Sequence, residues 1–179
     1  MTPQEPANSH SCAGLSIGDA RGLRIAVVTS CYHSEICAAL QQGARDSFVD
    51  AGGQSDSLMH VSSPGAFELV VVSAALVARA DIDAVVALGC VLTGETSHDR
   101  FICDAVAQGL TDLSLRAVKP VAFGLLTCLT MEQARARAGG NKGNKGSEAM
   151  RAAIAAARTI QAIRAGASSS RSCCVGARQ

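Results

Sequence analysis

The stretch GETSHDRF at residues 94–101 follows directly on an apolar run, DAVVALGCVL at 83–92, and puts a histidine where chemistry is plausible. Thr96 and Asp99 stand three apart, the spacing of a capping box, so Thr96 is the expected N-cap of a helix with His98 in its first turn. At that place the positive end of the helix favours a neutral imidazole, able to take up a proton at about pH 7. The unpaired N–H groups of the same turn form a site for a phosphate or carboxylate. From this stretch alone the plainer reading is still an exposed first-turn residue without chemical duty. A metal centre has less support, because no second histidine stands at ligand spacing.

Two further stretches invite chemistry. SSPGAFELVVVSAAL opens on a Pro64-Gly65 turn and runs into an apolar helix, leaving Phe67 and Glu68 at the mouth of any cleft there. Phe67 either staples the helix start, the commoner role, or lays its ring against a flat ligand. RARAGGNKGNKGSEAM at 135–150 carries four glycines and two lysines between a short helix expected over 130–138 and a long one after 146. It is not a P-loop: Lys145 is followed by Gly146 rather than Ser or Thr, and the stretch follows a helix rather than a strand. Two readings stay open, a flexible solvated connector or local capture of a phosphate by Arg137 with lysine support.

The elements that must position these groups are legible as apolar runs. LRIAVVT at 23–29, SLMHVSS at 57–63, DAVVALGC at 83–90 and KPVAFGLLT at 119–127 read as buried strands, the second weakened by His60. Between them, helical spacing recurs: Ile36, Leu40, Ala44, Phe48 and Ala51 in one segment, and Ile102, Val106, Leu110, Leu113 and Ala117 in another. Strand and helix alternate, which predicts a four-stranded, mainly parallel sheet between helical layers, a flavodoxin-like α/β/α sandwich. Ligands in such sheets gather beyond the carboxyl ends of the strands. Those ends carry SCYHS, SPGAFE, TGETSH and TCLTM.

Composition narrows the classes. A chain of 179 residues, 48% hydrophobic, supports a single core, expected over 22–165 between flexible arms at 1–21 and 166–179. A net charge of +1 and 3% aromatic content argue against nucleic acid or an anionic membrane surface as partner. No apolar run approaches the roughly 20 residues that span a bilayer. The amino-terminal MTPQEPANSH lacks the pattern of a secretory signal, so the expected setting is soluble and cytoplasmic. The eight cysteines show no CxxC spacing and several lie in apolar segments, favouring reduced thiols over a disulfide or metal framework. Cys173 and Cys174, in the polar tail, are the one pair that reads as exposed.

Taken together, PGAFE at 64–68, ALGCVLTGETSH at 87–98, FGLLT at 123–127 and EQARARAGGNKGNKG at 132–146 resemble the lumazine synthase family, in register from about 22 to 165. The resemblance implies condensation of 5-amino-6-(D-ribitylamino)uracil with 3,4-dihydroxy-2-butanone 4-phosphate to 6,7-dimethyl-8-ribityllumazine, with loss of phosphate and water and no metal or organic cofactor. It implies that His98 moves protons and that Tyr32 stacks on the pyrimidine. Ala66, Phe67 and Glu68 would line the pyrimidine and ribityl pocket, continued by Cys90, Val91 and Leu92. Main-chain N–H groups of Glu95 and Thr96 would hold the phosphate with Arg137. Phe123, Arg137 and Lys145 would come from a neighbouring subunit of a pentamer, alone or in an icosahedral shell of twelve, and the resemblance extends to association with riboflavin synthase. The chain departs from the family's pattern at Cys31, His33, Asp99 and Ala136, where Arg, Asn, an aromatic and Glu are frequent. The departures at Cys31, His33 and Asp99 motivate a second reading, a non-catalytic riboflavin-binding or shell-forming relative. A generic mononucleotide module of flavodoxin type is a third, and it leaves GGNKGNKG unexplained.

Overall fold

The computed structural model describes residues 19–166. Four strands, β1 (Ile25–Ser30), β2 (Leu58–Ser63), β3 (Ala84–Leu92) and β4 (Val121–Cys128), form one sheet in the order β2-β1-β3-β4. Every pairing is parallel, with Ile25 opposite Leu58 on one side and Ala84 on the other, and Val85 opposite Val121. The four apolar runs are these strands. β1 and most of β3 are buried on both faces, which is why they read as continuous apolar runs. β2 is an edge, so its burial alternates, and His60 falls on an exposed position where Nδ1 meets Gln41 Nε2 at 3.0 Å.

Helices α1 (Ser34–Asp50) and α5 (Lys145–Arg164) cover one face of the sheet. Leu40, Ala44 and Phe48 from α1 and Met150 and Ile154 from α5 pack there with Ile25, Val27, Val86 and Leu88. Helices α2 (Leu69–Val77) and α3 (His98–Ala117) cover the other, where Leu69, Val106 and Leu110 meet Val28, Val85 and Ala87. The α/β/α sandwich expected from the alternation is therefore present. No helix among the described residues is long and apolar enough to cross a membrane.

The glycine-rich stretch is exposed at residues 139–143, as the connector reading expected, but it carries regular structure. After α4 (Met131–Arg137), Ala138–Gly140 and Gly143–Asn144 pair as a small antiparallel hairpin, β5 and β6, and α5 starts at once. Gly139 and Gly143 have φ of 117° and 79°, a region that costs a side chain dearly. Asn144 caps α5: its Oδ1 accepts from Gly146 N at 2.9 Å and Ser147 N at 3.1 Å, while Nδ2 donates to the Ala39 carbonyl at 2.9 Å. Gly146 lies so close to α1 that a Cβ there would stand 1.9 Å from the Leu40 carbonyl oxygen.

Of the amino-terminal arm expected over 1–21, residues 19–21 belong to the fold. Ala20 is buried, its N–H donates to the Ala51 carbonyl at 3.0 Å, and the Arg158 guanidinium donates to the carbonyls of Asp19 and Arg21. The rest of that arm and the tail from 167, with Cys12, Cys173 and Cys174, lie outside the described residues.

Candidate active site

The carboxyl ends of β1, β2 and β3 open into a cleft of about 520 Å³. At the end of β1 the chain turns through Cys31, Tyr32 and His33 into α1. His33 precedes the helix in the left-handed region, with φ 51° and ψ 55°. Asn, Asp and His tolerate that conformation better than other side chains, which accounts physically for a histidine where the family resemblance has asparagine. Tyr32 is 68% exposed, so its ring is free to meet a ligand. Its backbone is held: Tyr32 N donates to Ser30 Oγ at 3.2 Å, and the buried Cys37 thiol donates to the Tyr32 carbonyl at 3.0 Å. Burial pushes that thiol up to about 11, so it keeps its proton.

The end of β2 is tied to β1 by Cys31 N, which donates to the Ser63 carbonyl at 2.9 Å, while Ser63 Oγ donates to the Gly65 carbonyl at 2.9 Å. Gly65 makes room: a Cβ there would stand 2.7 Å from a Glu68 carboxylate oxygen. Ala66 is buried, Glu68 half-buried, and Phe67 is 58% exposed on the cleft. Phe67 therefore does not staple the start of α2; its ring is left to the cleft.

From β3 come Cys90, Val91 and Leu92. Cys90 is buried, and burial pushes its thiol up to about 12, with the nearby Cys128 and Cys37 adding to the effect. A thiol held neutral in this way is a piece of wall rather than a nucleophile. Past Thr93, whose N–H extends the ladder to the Cys128 carbonyl at 2.9 Å, residues 94–98 are all exposed and His98 is the first residue of α3.

The expected capping box is absent. Ser97, not Thr96, precedes α3, and its φ of −75° and ψ of 14° are not the extended conformation from which a side chain reaches back to the helix N–H groups. No side-chain cap bond forms there. Asp99 instead accepts a hydrogen bond from Thr93, Oγ1 to Oδ2, at 3.0 Å. A reciprocal arrangement of the capping-box kind occurs elsewhere, where Thr130 Oγ1 accepts from Gln133 N and Gln133 Oε1 accepts from Leu129 N. Its sequence, TMEQ, carries the T-x-x-Q signature openly.

The cleft thus gathers Tyr32, Ala66, Phe67, Glu68, Cys90, Val91, Leu92, Thr96 and His98 from the residues expected. Glu95 is exposed and outside its lining. Phe123, Arg137 and Lys145 lie elsewhere, together on a second depression of about 490 Å³ along β4 and α5. There Arg137 Nη1 donates to the Gln133 carbonyl at 3.3 Å and Lys145 pairs with Glu148 at 2.5 Å. The cleft also contains Gly65 of the expected turn, His33 and Asp99, named above only as departures from the family's pattern, and Gly94 and Ile102, which were not read as site residues. Ile102 was findable, since it stands four residues after His98 on the same helical face. Neither Arg nor Lys lines this cleft, and among the described residues no group of three or more His, Cys, Asp and Glu is arranged to hold a metal ion.

Comparison with known proteins places the chain among relatives of one family. The family model for 6,7-dimethyl-8-ribityllumazine synthase matches residues 22–161. A 6,7-dimethyl-8-ribityllumazine synthase of Mycolicibacterium vanbaalenii is 52% identical over 121 residues, 68% of this chain and 74% of the relative. One from Porphyromonas gingivalis is 41% identical over 128 residues, covering 72% and 80%. One from Thermus thermophilus is 40% identical over 144 residues, covering 80% and 92%. With the family model matching most of the chain and such relatives covering over two thirds of it, the protein belongs to the 6,7-dimethyl-8-ribityllumazine synthase family.

Proposed function

We propose that this protein condenses 5-amino-6-(D-ribitylamino)uracil with 3,4-dihydroxy-2-butanone 4-phosphate to 6,7-dimethyl-8-ribityllumazine, releasing phosphate and water, the penultimate step of riboflavin biosynthesis. The observation that carries the reading is the make-up of the cleft, where an exposed histidine at a helix start faces a pocket with two exposed aromatic rings and neither Arg nor Lys. Tyr32 and Phe67 offer flat surfaces to the pyrimidine, and Glu68 accepts hydrogen bonds from ribityl hydroxyls. The amine attacks the ketone, water leaves to give an imine, phosphate is eliminated, and ring closure with a second dehydration completes the lumazine. Each step moves a proton, and His98 is the group placed to carry it.

The phosphate needs a cation that the cleft lacks. The open start of α3, with main-chain N–H groups of Glu95 and Thr96, supplies one half of its site. Arg137 supplies the other half from a second copy of the chain, together with Phe123 and Lys145, whose depression lies apart from the cleft on the same subunit. The working enzyme is then a homo-oligomer with its active sites between subunits. A pentamer, alone or as twelve in an icosahedral shell, in the cytoplasm and in association with riboflavin synthase, completes the reading.

Lumazine formation and phosphate release by purified protein test the activity; none from an assembled protein overturns it. Interface sharing has its own test. His98→Ala and Arg137→Ala proteins, each nearly inactive, regain activity when dissociated and reassembled together, because some interfaces then combine an intact cleft with an intact Arg137. Recovery of nothing would mean that both groups act within one chain.

A further inference from the structure

Between Thr93, tied to the sheet, and α3 the chain crosses four residues, 94–97, which with His98 at the helix start are all exposed. The helix they lead into has no side-chain cap, and the outer side of its first turn is bare, with Phe101 73% exposed. Thr93 stands at one side of this crossing and is fixed to the sheet, since its N–H donates to the Cys128 carbonyl of β4. Asp99 stands at the other side, in the first turn of α3. The Thr93 hydroxyl donates to the Asp99 carboxylate at 3.0 Å, and among the described residues no other side-chain hydrogen bond crosses the loop.

We propose that Thr93 and Asp99 form a clasp that sets the shape of the 94–98 loop, making Asp99 a positioning residue for binding of the four-carbon phosphate. This rests on the reading above, in which the loop's main chain takes that phosphate. The physical argument is one of ordering. An exposed loop without its own backbone ladder samples many conformations, and a ligand that needs one of them loses affinity in proportion to how seldom it occurs. A hydrogen bond to a carboxylate, fixed at one end to the sheet and at the other to a helix, removes most of that freedom before the ligand arrives. Asp99 also lines the cleft, so the clasp puts a carboxylate there without leaving both its oxygens unpartnered. The two partners are close in the chain, Thr93 standing six residues before Asp99, so the clasp closes one short loop and nothing else.

Kinetics with four variants and amide hydrogen exchange test the clasp together. Asp99→Ala and Thr93→Val should each raise KM for the four-carbon phosphate by roughly three- to tenfold, with little change in KM for the pyrimidine. The double variant should go no further than either single one, since both remove the same bond. Asp99→Asn, whose amide oxygen still accepts from Thr93, should restore the affinity that alanine loses. Exchange of the Arg100 and Phe101 amides, which donate to the Ser97 carbonyl of the loop, should quicken in the alanine and valine variants and keep the wild-type rate in Asp99→Asn. That second readout needs no turnover, so it judges the clasp even if the wild-type protein makes no lumazine. Equal exchange in all variants, or equal KM shifts for both substrates, would overturn the proposal.

Discussion

The loops into α3 and α5 both carry glycines beside polar side chains, and both lead into helices of 20 residues. At α5 the chain answers its own needs. Asn144 accepts from two of the free N–H groups at the helix start, and Gly146 lets the turn press against the Leu40 carbonyl. At α3 nothing of the kind happens: Ser97 makes no cap bond and residues 94–98 are exposed. The helix start whose donors are already taken cannot bind an anion through them, whereas the one left open can. So in the stretch that most resembles a nucleotide loop, GGNKGNKG, the main chain at the helix start is taken up by Asn144 and Gly146. That leaves the Lys145 side chain for the shared site proposed above, while the open main chain is that of the plainer TGETSH.

The comparison breaks most visibly if the open loop proves to be scaffold after all. His98→Ala should lower the rate of lumazine formation by about 10²–10⁴-fold, the usual worth of a positioned acid-base group. Because His98 is exposed, its loss should shift the denaturant midpoint by no more than about 0.5 kcal/mol of stability. A stability loss that matched the rate loss would make His98 a structural residue.

Gly146→Ala examines the closed loop. In a helix, alanine is favoured over glycine by about 1 kcal/mol, but here the added methyl meets backbone that cannot move aside. The clash wins: a loss of about 3 kcal/mol or more is expected in chemical denaturation. Asn144→Ala should cost less, about 1–2 kcal/mol, as it frees two N–H groups to water and leaves the Ala39 carbonyl without its donor. A neutral result at either position would remove the claim that this loop is spent on packing α5 against α1.

How far the sequence discloses these differences depends on the range of the interactions. The strands were legible because β1 and β3 are buried on both faces, and their runs of Val, Ala, Ile and Leu can serve little else. PGAFE and TGETSH could be placed at strand ends because parallel topology sends every such end to one side of the sheet. The hairpin β5–β6 was not legible, since strands of three and two residues have no period to read. Gly146 was visible as a glycine, yet its cause, the Leu40 carbonyl, is about a hundred positions away in the chain. The separation of Arg137 and Phe123 from the cleft is set by the path of β4 and α4, and no local spacing encodes it. The cap failed for a subtler reason. Thr96 and Ser97 are both good capping residues, and the choice between them was made by backbone dihedrals rather than by residue type.

Ser97→Ala is therefore the quietest substitution and a discriminating one. A serine at an N-cap ordinarily contributes about 1 kcal/mol through its oxygen. Here that oxygen accepts nothing from the helix, so removing it should change stability by no more than a few tenths of a kcal/mol, against the 1–2 kcal/mol expected at Asn144. Thermal unfolding of both variants beside the wild type makes the measurement. If Ser97→Ala costs as much as Asn144→Ala, the start of α3 is capped in solution, its N–H groups are not free for a phosphate, and the contrast between the loops collapses. If it costs almost nothing, those donors remain unfilled by the protein, and adding inorganic phosphate should protect the 94–98 amides from exchange while leaving the start of α5 unaffected.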